Sequence, residues 1–215
     1  MKRFLEQILP QSLVDQYKIY RNKHPEGVIK SWENKGKPLP PPHVVKQKAI
    51  QAYQKRSGYP ILVETGTYKG DMIIAQKDFF KKIYSIELSK TLFERAKKRF
   101  RNYPFVSLLQ GNSGDVIAQV LQELKEPAIF WLDGHFSGGI TATIEKYSPI
   151  QEEMQLLIAN NQLQHIILID DARVFDGTHG YPTIPEVKQL ASMHLPRYHF
   201  SVADDIIRLV PEKFS

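Results

Sequence analysis

The sequence predicts an α/β fold: a mostly parallel, seven-stranded sheet covered by helices on both faces. Three observations predict it. From Tyr59 onward, short apolar runs alternate with stretches of helical periodicity. Strands separated by crossover helices lie parallel and bury both faces. The last two apolar runs, 198–203 and 206–210, are separated only by Asp204-Asp205, which reads as a closing antiparallel hairpin.

Each element follows from its own pattern. Strands are expected at 60–64, 82–87, 106–110, 128–133 and 165–170, with helices at about 70–79, 89–101, 113–124, 148–160 and 184–193. Before this core, residues 2–22 carry Phe4, Leu5, Ile8, Leu13 and Tyr17 at helical spacing, interrupted by Pro10. Residues 23–42 read as loop, ending in the stiff run Pro38-Leu-Pro-Pro-Pro42. Residues 43–56 read as a helix leading into the core. The expected division is therefore a helical and linker appendage, 1–56, and an α/β domain, 57–215.

Charge follows the same division. The net charge of the 215 residues is +6, but residues 1–56 hold 12 Lys/Arg against 4 Asp/Glu, so the core is slightly acidic. The basic appendage suits a solvated helical surface, an anionic partner or assembly with a second copy. It gives no specific reason to expect nucleic acid. Cysteine is absent, which excludes disulfides and thiolate metal sites and fits a cytoplasmic location. No apolar run is long enough to span a membrane, and the first residues lack a signal-peptide core.

The most informative segment is Ile61-Leu-Val-Glu-Thr-Gly-Thr-Tyr-Lys-Gly70: a buried strand, an acid, a glycine turn and a helix start. Such a turn holds nucleotide-like ligands in open α/β sheets. It is not a phosphate-binding loop, since Gly70 precedes Asp71-Met72, and Tyr68 breaks the dinucleotide spacing. Glu64 before the turn would repel a pyrophosphate and suits a cationic or neutral ligand. Glu87 closes the next strand at about the distance expected of a ribose-binding acid; a helix N-terminal acid is its plainer reading. Asn112, Asp133 and Asp170-Asp171 stand at the ends of the next three strands. Acids gathered in this way repel unless a cation or ligand compensates them.

The turn Glu64-x-Gly66-x-x-x-Gly70 resembles the first motif of the class I S-adenosylmethionine-dependent methyltransferases, and the resemblance extends over most of 58–211. It implies a Rossmann-like methyltransferase fold. It also implies an S-adenosylmethionine site in which Glu64, Gly66, Thr67 and Gly70 approach the methionine part. Glu87 would hold the ribose, and Gly111, Asn112 and Ser113 would flank the adenine. Within that class, Trp131-Leu-Asp-Gly-His135 and Ile169-Asp-Asp171 resemble most the metal-dependent macrocin O-methyltransferase type, which methylates sugar hydroxyls.

That resemblance implies a divalent cation, Mg2+, on Asp133, Asp170 and Asp171, three acids with no basic residue expected among them. Asp133 would then serve cofactor, cation and catalysis together. Two departures bear on the base. His135 stands where the type commonly has a second acid, and Phe136 stands where the catechol-methylating branch has Lys. His135 is therefore the candidate general base or an extra ligand, or simply a histidine hydrogen-bonded within its loop. The Gly-rich segment 134–142 reads as a loop able to close over substrate. Arg173 is expected to neutralise the neighbouring acids, and 176–182 to line the acceptor pocket.

The expected activity is metal-assisted O-methylation of a small-molecule or glycan hydroxyl. Two other classes remain. A metal-dependent hydrolase or nucleotide-binding enzyme would use the Asp cluster but leave Glu64 and Glu87 idle. A non-catalytic binding module would leave the cluster unexplained.

Overall fold

A computed structural model describes residues 25–133 and 148–215. The elements are α1 (Pro25–Asn34), α2 (His43–Ser57), β1 (Ile61–Thr65), α3 (Asp71–Gln76), β2 (Lys82–Glu87), α4 (Lys90–Phe100), β3 (Val106–Gln110), α5 (Ser113–Glu123), β4 (Ala128–Leu132), α6 (Ile150–Ala159), β5 (Ile166–Ile169), α7 (Ile184–His194), β6 (Tyr198–Ala203) and β7 (Ile206–Pro211). The sheet runs β3-β2-β1-β4-β5-β7-β6. The first five strands are parallel, and β7 lies antiparallel between β5 and β6. Strand order reverses between β1 and β4, and ligands of such sheets bind outside the carboxyl ends at that point.

Alternation along β1 sorts its residues to two cores. Ile61 and Val63 join Val116, Ile117, Met154, Leu157 and Val187, so α5, α6 and α7 cover one face. Leu62 joins Ile50, Ile73, Ala96 and Phe100, so α2, α3 and α4 cover the other. The central strands β1, β4 and β5 are buried along their whole length, as parallel strands covered on both sides must be. The β6–β7 hairpin turns on Asp204 and Asp205, both in the left-handed region at φ 52° and 64°. A two-residue hairpin whose twist matches its strands needs that conformation, which Asp tolerates better than most residues.

One expectation fails. Residues 25–34, read as loop, form α1. Pro25 occupies its first position, where no N–H is needed. Ile29 and Trp32 are three apart on one side, Trp32 is buried, and its indole Nε1–H donates to Pro38 O at 2.8 Å. Gly27 and the following prolines hid this short periodicity. The helix expected within 2–22 lies outside the described residues, as does the loop 134–142. Among the described residues no helix is long and apolar enough to cross a membrane.

Candidate active site

The glycine turn sits over the ends of β1 and β2. Gly66 (φ 83°) and Thr67 both donate their N–H to Ile86 O, at 2.9 and 3.2 Å. Glu64 pairs in register with Ser85. The Ser85 hydroxyl donates to Glu64 Oε1 at 2.6 Å and meets Thr67 Oγ1 at 2.5 Å. The other oxygen, Oε2, is buried without a hydrogen-bond partner. Glu64 is 1% exposed, and burial pushes its pKa up to about 8. The Ser85 bond opposes this, while Asp133 and Glu87 add to it. A buried carboxyl with an open oxygen is costly in a finished fold. A cationic ligand beside it would remove that cost.

Glu87 fastens the turn from the next strand. Its Oε2 accepts the Tyr68 N–H at 2.8 Å and its Oε1 the Ser89 N–H at 2.9 Å. The plain helix-start role is therefore present, and each oxygen keeps further lone pairs. Gly111 N–H donates to Glu87 O at 3.0 Å, which ties the β3 turn to the same strand end. Asn112 caps α5 through the Gly114 N–H, and Ser113 is buried beside it. Gly70 also serves packing. At φ 73°, a Cβ there would lie 2.4 Å from the Phe100 ring, so glycine is required where the turn meets α4.

The second cluster lies at the ends of β4 and β5. Asp170 N–H donates to Leu132 O at 2.9 Å, and Asp133 N–H to Thr65 Oγ1 at 3.2 Å. Carboxylate oxygens of Asp133, Asp170 and Asp171 come within 4.8 Å of one another, a spacing that a hard divalent ion could bridge if the oxygens were uncommitted. The expectation of no basic residue among them is overturned. Lys46, from α2, places Nζ 2.6 Å from Asp170 Oδ1 and 2.7 Å from both Asp170 Oδ2 and Asp171 Oδ1. Arg173 Nη1 donates to Asp171 Oδ1 at 2.7 Å and also pairs with Asp205. With two of the three acids held by an ammonium, this donor set does not fit a divalent ion.

Burial works against the Lys46 ammonium, but Asp170 and Asp171 outweigh it and hold its pKa above the ordinary lysine value. Burial and the Asp133 charge push Asp170 upward; the short contacts to both its oxygens are those of an ion pair.

Beside this cluster lies a small pocket lined by Asp133, Ser148, Glu153, Asp170, Phe175 and Tyr181. Part of the segment 176–182 therefore does line it. Glu153, which the sequence alone did not single out, is 0% exposed. Neither of its oxygens meets hydrogen-bond geometry, although Ser113 and Thr65 are near enough to lower its pKa in part. Burial, the larger effect, raises it to about 7. Its signal was an acid three residues after Ile150, on the apolar face of α6. Lys46 had the same signal, four residues before Ile50. His135 lies outside the described residues.

No protein-family model matches the chain, and no curated protein matches it in sequence. Solved structures do. An S-adenosylhomocysteine-bound methyltransferase of Podospora anserina, PaMTH1, aligns with TM-score 0.54 at 17% identity, over 95% of this chain and 98% of that one. The O-methyltransferase TomG of Streptomyces achromogenes, in complex with S-adenosylmethionine, gives 0.55 at 14%, over 85% and 86%. An O-methyltransferase of Bacillus cereus in complex with S-adenosylhomocysteine gives 0.54 at 15%, over 97% and 96%. The fold is the class I methyltransferase fold. The strand order, the antiparallel β7 and the N-terminal helices all belong to it.

Proposed function

We propose that the chain is an S-adenosylmethionine-dependent methyltransferase acting on a hydroxyl of a small molecule or sugar. The observation that carries this is Glu64: a buried carboxyl with one unpartnered oxygen, beside the Gly66 turn, with Glu87 bonded to the same turn. When bound, the cofactor supplies a methyl group already activated on a sulfonium, so the protein's work is mainly alignment. Its positive charge suits Glu64, whose pKa would fall as the cation approached. Glu87, held by two backbone N–H groups, presents remaining lone pairs to the ribose hydroxyls, and Gly111, Asn112 and Ser113 flank the adenine.

The acceptor's hydroxyl is assigned to the pocket beside Asp133, which has room for a water-sized group. Phe175 and Tyr181, edge-to-face at 5.3 Å, give it an aromatic wall. Asp133, Ser148 and Glu153 give it polar groups able to orient a hydroxyl-bearing molecule. His135, two residues beyond Asp133, is proposed from sequence to take the hydroxyl proton. Metal assistance would first require Lys46 to leave Asp170 and Asp171, and no step is assigned to a metal.

Titration calorimetry with S-adenosylhomocysteine tests the reading. Wild type should bind, and Glu87→Ala should bind about 1.5–3 kcal/mol more weakly, the worth of hydrogen bonds to a charged group. Absence of wild-type binding would overturn the assignment; unchanged affinity in the variant would remove only the ribose role of Glu87.

A further inference from the structure

The acid cluster at the ends of β4 and β5 already contains a cation that belongs to the chain. Lys46 leaves the first turn of α2 on the side that carries Ile50 into the core, and it is 8% exposed. An ammonium has three protons, and three carboxylate oxygens lie within 2.7 Å of this one. Those oxygens have other donors as well. Asp170 Oδ1 accepts the Asp171 N–H at 2.7 Å, and Asp171 Oδ1 accepts Arg173 Nη1 at 2.7 Å. The lone pairs of the β5 pair that face Lys46 are therefore committed.

A divalent ion on Asp170 would need one of the oxygens Lys46 holds, at roughly 2.0–2.6 Å. Sharing it would bring the ion against Nζ, with like charges repelling where water is excluded. Ion and ammonium exclude each other. Lys48, two residues away and exposed, shows that placement on the buried side of α2, rather than the abundance of lysine there, sets the contact.

We propose that Lys46 is the resident cation of the Asp170–Asp171 pair within the acid cluster and takes the place of a divalent ion there, fixing both β5 carboxylates from the N-terminal helix. It is a positioning residue, acting through Asp170 and Asp171. Only the purpose of the cluster rests on the methyltransferase reading; the cation that fills it does not.

The test is uptake of Mn2+ by the full chain, followed by loss of the free-ion electron paramagnetic resonance signal. Wild type should show no saturable uptake below millimolar Mn2+. Lys46→Met, which keeps an apolar stem and removes the charge, should bind one ion at least about tenfold more tightly. Adding Asp170→Asn should abolish that gain, and Lys46→Arg should behave as wild type. Should Lys46→Met fail to fold, Lys46→Gln carries the same expectation, with an amide that still donates to Asp170.

Tight saturable uptake by wild type would overturn the proposal. So would absence of any gain on neutralising Lys46, which would reduce the contact to a structural ion pair. An equal gain in Lys46→Arg would show that charge is not the cause. S-adenosylhomocysteine affinity, measured on the same samples, separates the two readings: its absence overturns the methyltransferase assignment and leaves the manganese result standing.

Discussion

The two ends of one sheet treat buried polar groups in opposite ways. At the amino end, where β4 and β5 begin, the groups bond one another. His165 Nδ1 accepts the Ala128 N–H at 3.0 Å, and the His165 backbone N–H donates to Asn161 Oδ1 at 2.9 Å. Tyr198 donates to His165 O at 2.8 Å and receives the Asn161 amide at 2.7 Å, while Tyr59 closes on Gln164 O at 2.8 Å. At the carboxyl end, Glu64 and Glu153 keep buried oxygens without hydrogen-bond partners. The same strands and cores support both ends, so burial alone does not account for the difference. Folding pairs the polar groups at one end; at the other it leaves buried carboxyl oxygens that the proposed ligand would partner.

The comparison breaks most sharply on turnover. His135→Ala should lower it by about 10²–10⁴ while leaving cofactor affinity nearly intact, if the residue is the general base. Loss of the acidic limb of the pH–rate profile in the variant checks that role. Loss of stability with turnover kept would instead assign His135 to the loop. Its counterpart at the amino end, Tyr198→Phe, should leave turnover unchanged.

Protonation gives the next largest effect, with opposite signs at the two ends. His165 is held down to about 4 by burial, below its ordinary 6.5, so the unfolded chain binds the proton more readily. Stability should therefore fall as pH drops from about 6.5 to about 4, by about 3 kcal/mol if the whole shift is expressed. Glu64 and Glu153 are raised by burial to about 8 and about 7. Their contribution is fully present below about 4.5 and is lost as pH rises through those values. Melting temperature against pH should thus be dome-shaped. Glu64→Gln should flatten the alkaline limb, and S-adenosylmethionine should recover part of it. An alkaline limb unchanged in Glu64→Gln would show that this carboxyl is not the strained group.

The smallest effect is static. Tyr198→Phe removes one donor and strands two partners, so it should cost about 1–3 kcal/mol in chemical denaturation without changing cofactor affinity. Glu64→Gln near pH 7 should cost little stability and reduce that affinity. The reverse pattern would erase the distinction between the ends.

Much of this was legible because it is local. β2 and β3 have the boundaries their apolar runs predict, since β-branched and aromatic residues end abruptly at Glu87 and Gln110. Thr65 extends β1 by one residue, because the ladder to Leu132 continues past Glu64. The acids at the strand ends were visible for the same reason. What closes around them was not. Lys46 meets Asp170 across 124 residues, and the sequence carries no sign of that partner. α1 was hidden because a helix of 10 residues containing Gly27 carries too few apolar positions to outweigh its breakers.

The β6–β7 turn has a consequence in the order of synthesis. Asp205 O accepts the Ala172 N–H at 2.9 Å, and its Oδ1 accepts the Arg173 N–H at 2.9 Å. This turn therefore braces the segment that follows Asp170-Asp171. Lys46 leaves the ribosome well before Asp205. β7, which must enter between β5 and β6, comes later still. A growing chain can fold β1–β3 with their helices and shape the Gly66 turn well before that point. The Asp170-Asp171 end is braced only once the hairpin has arrived. A nascent chain would thus shape the Gly66 turn before the Asp170-Asp171 end is braced.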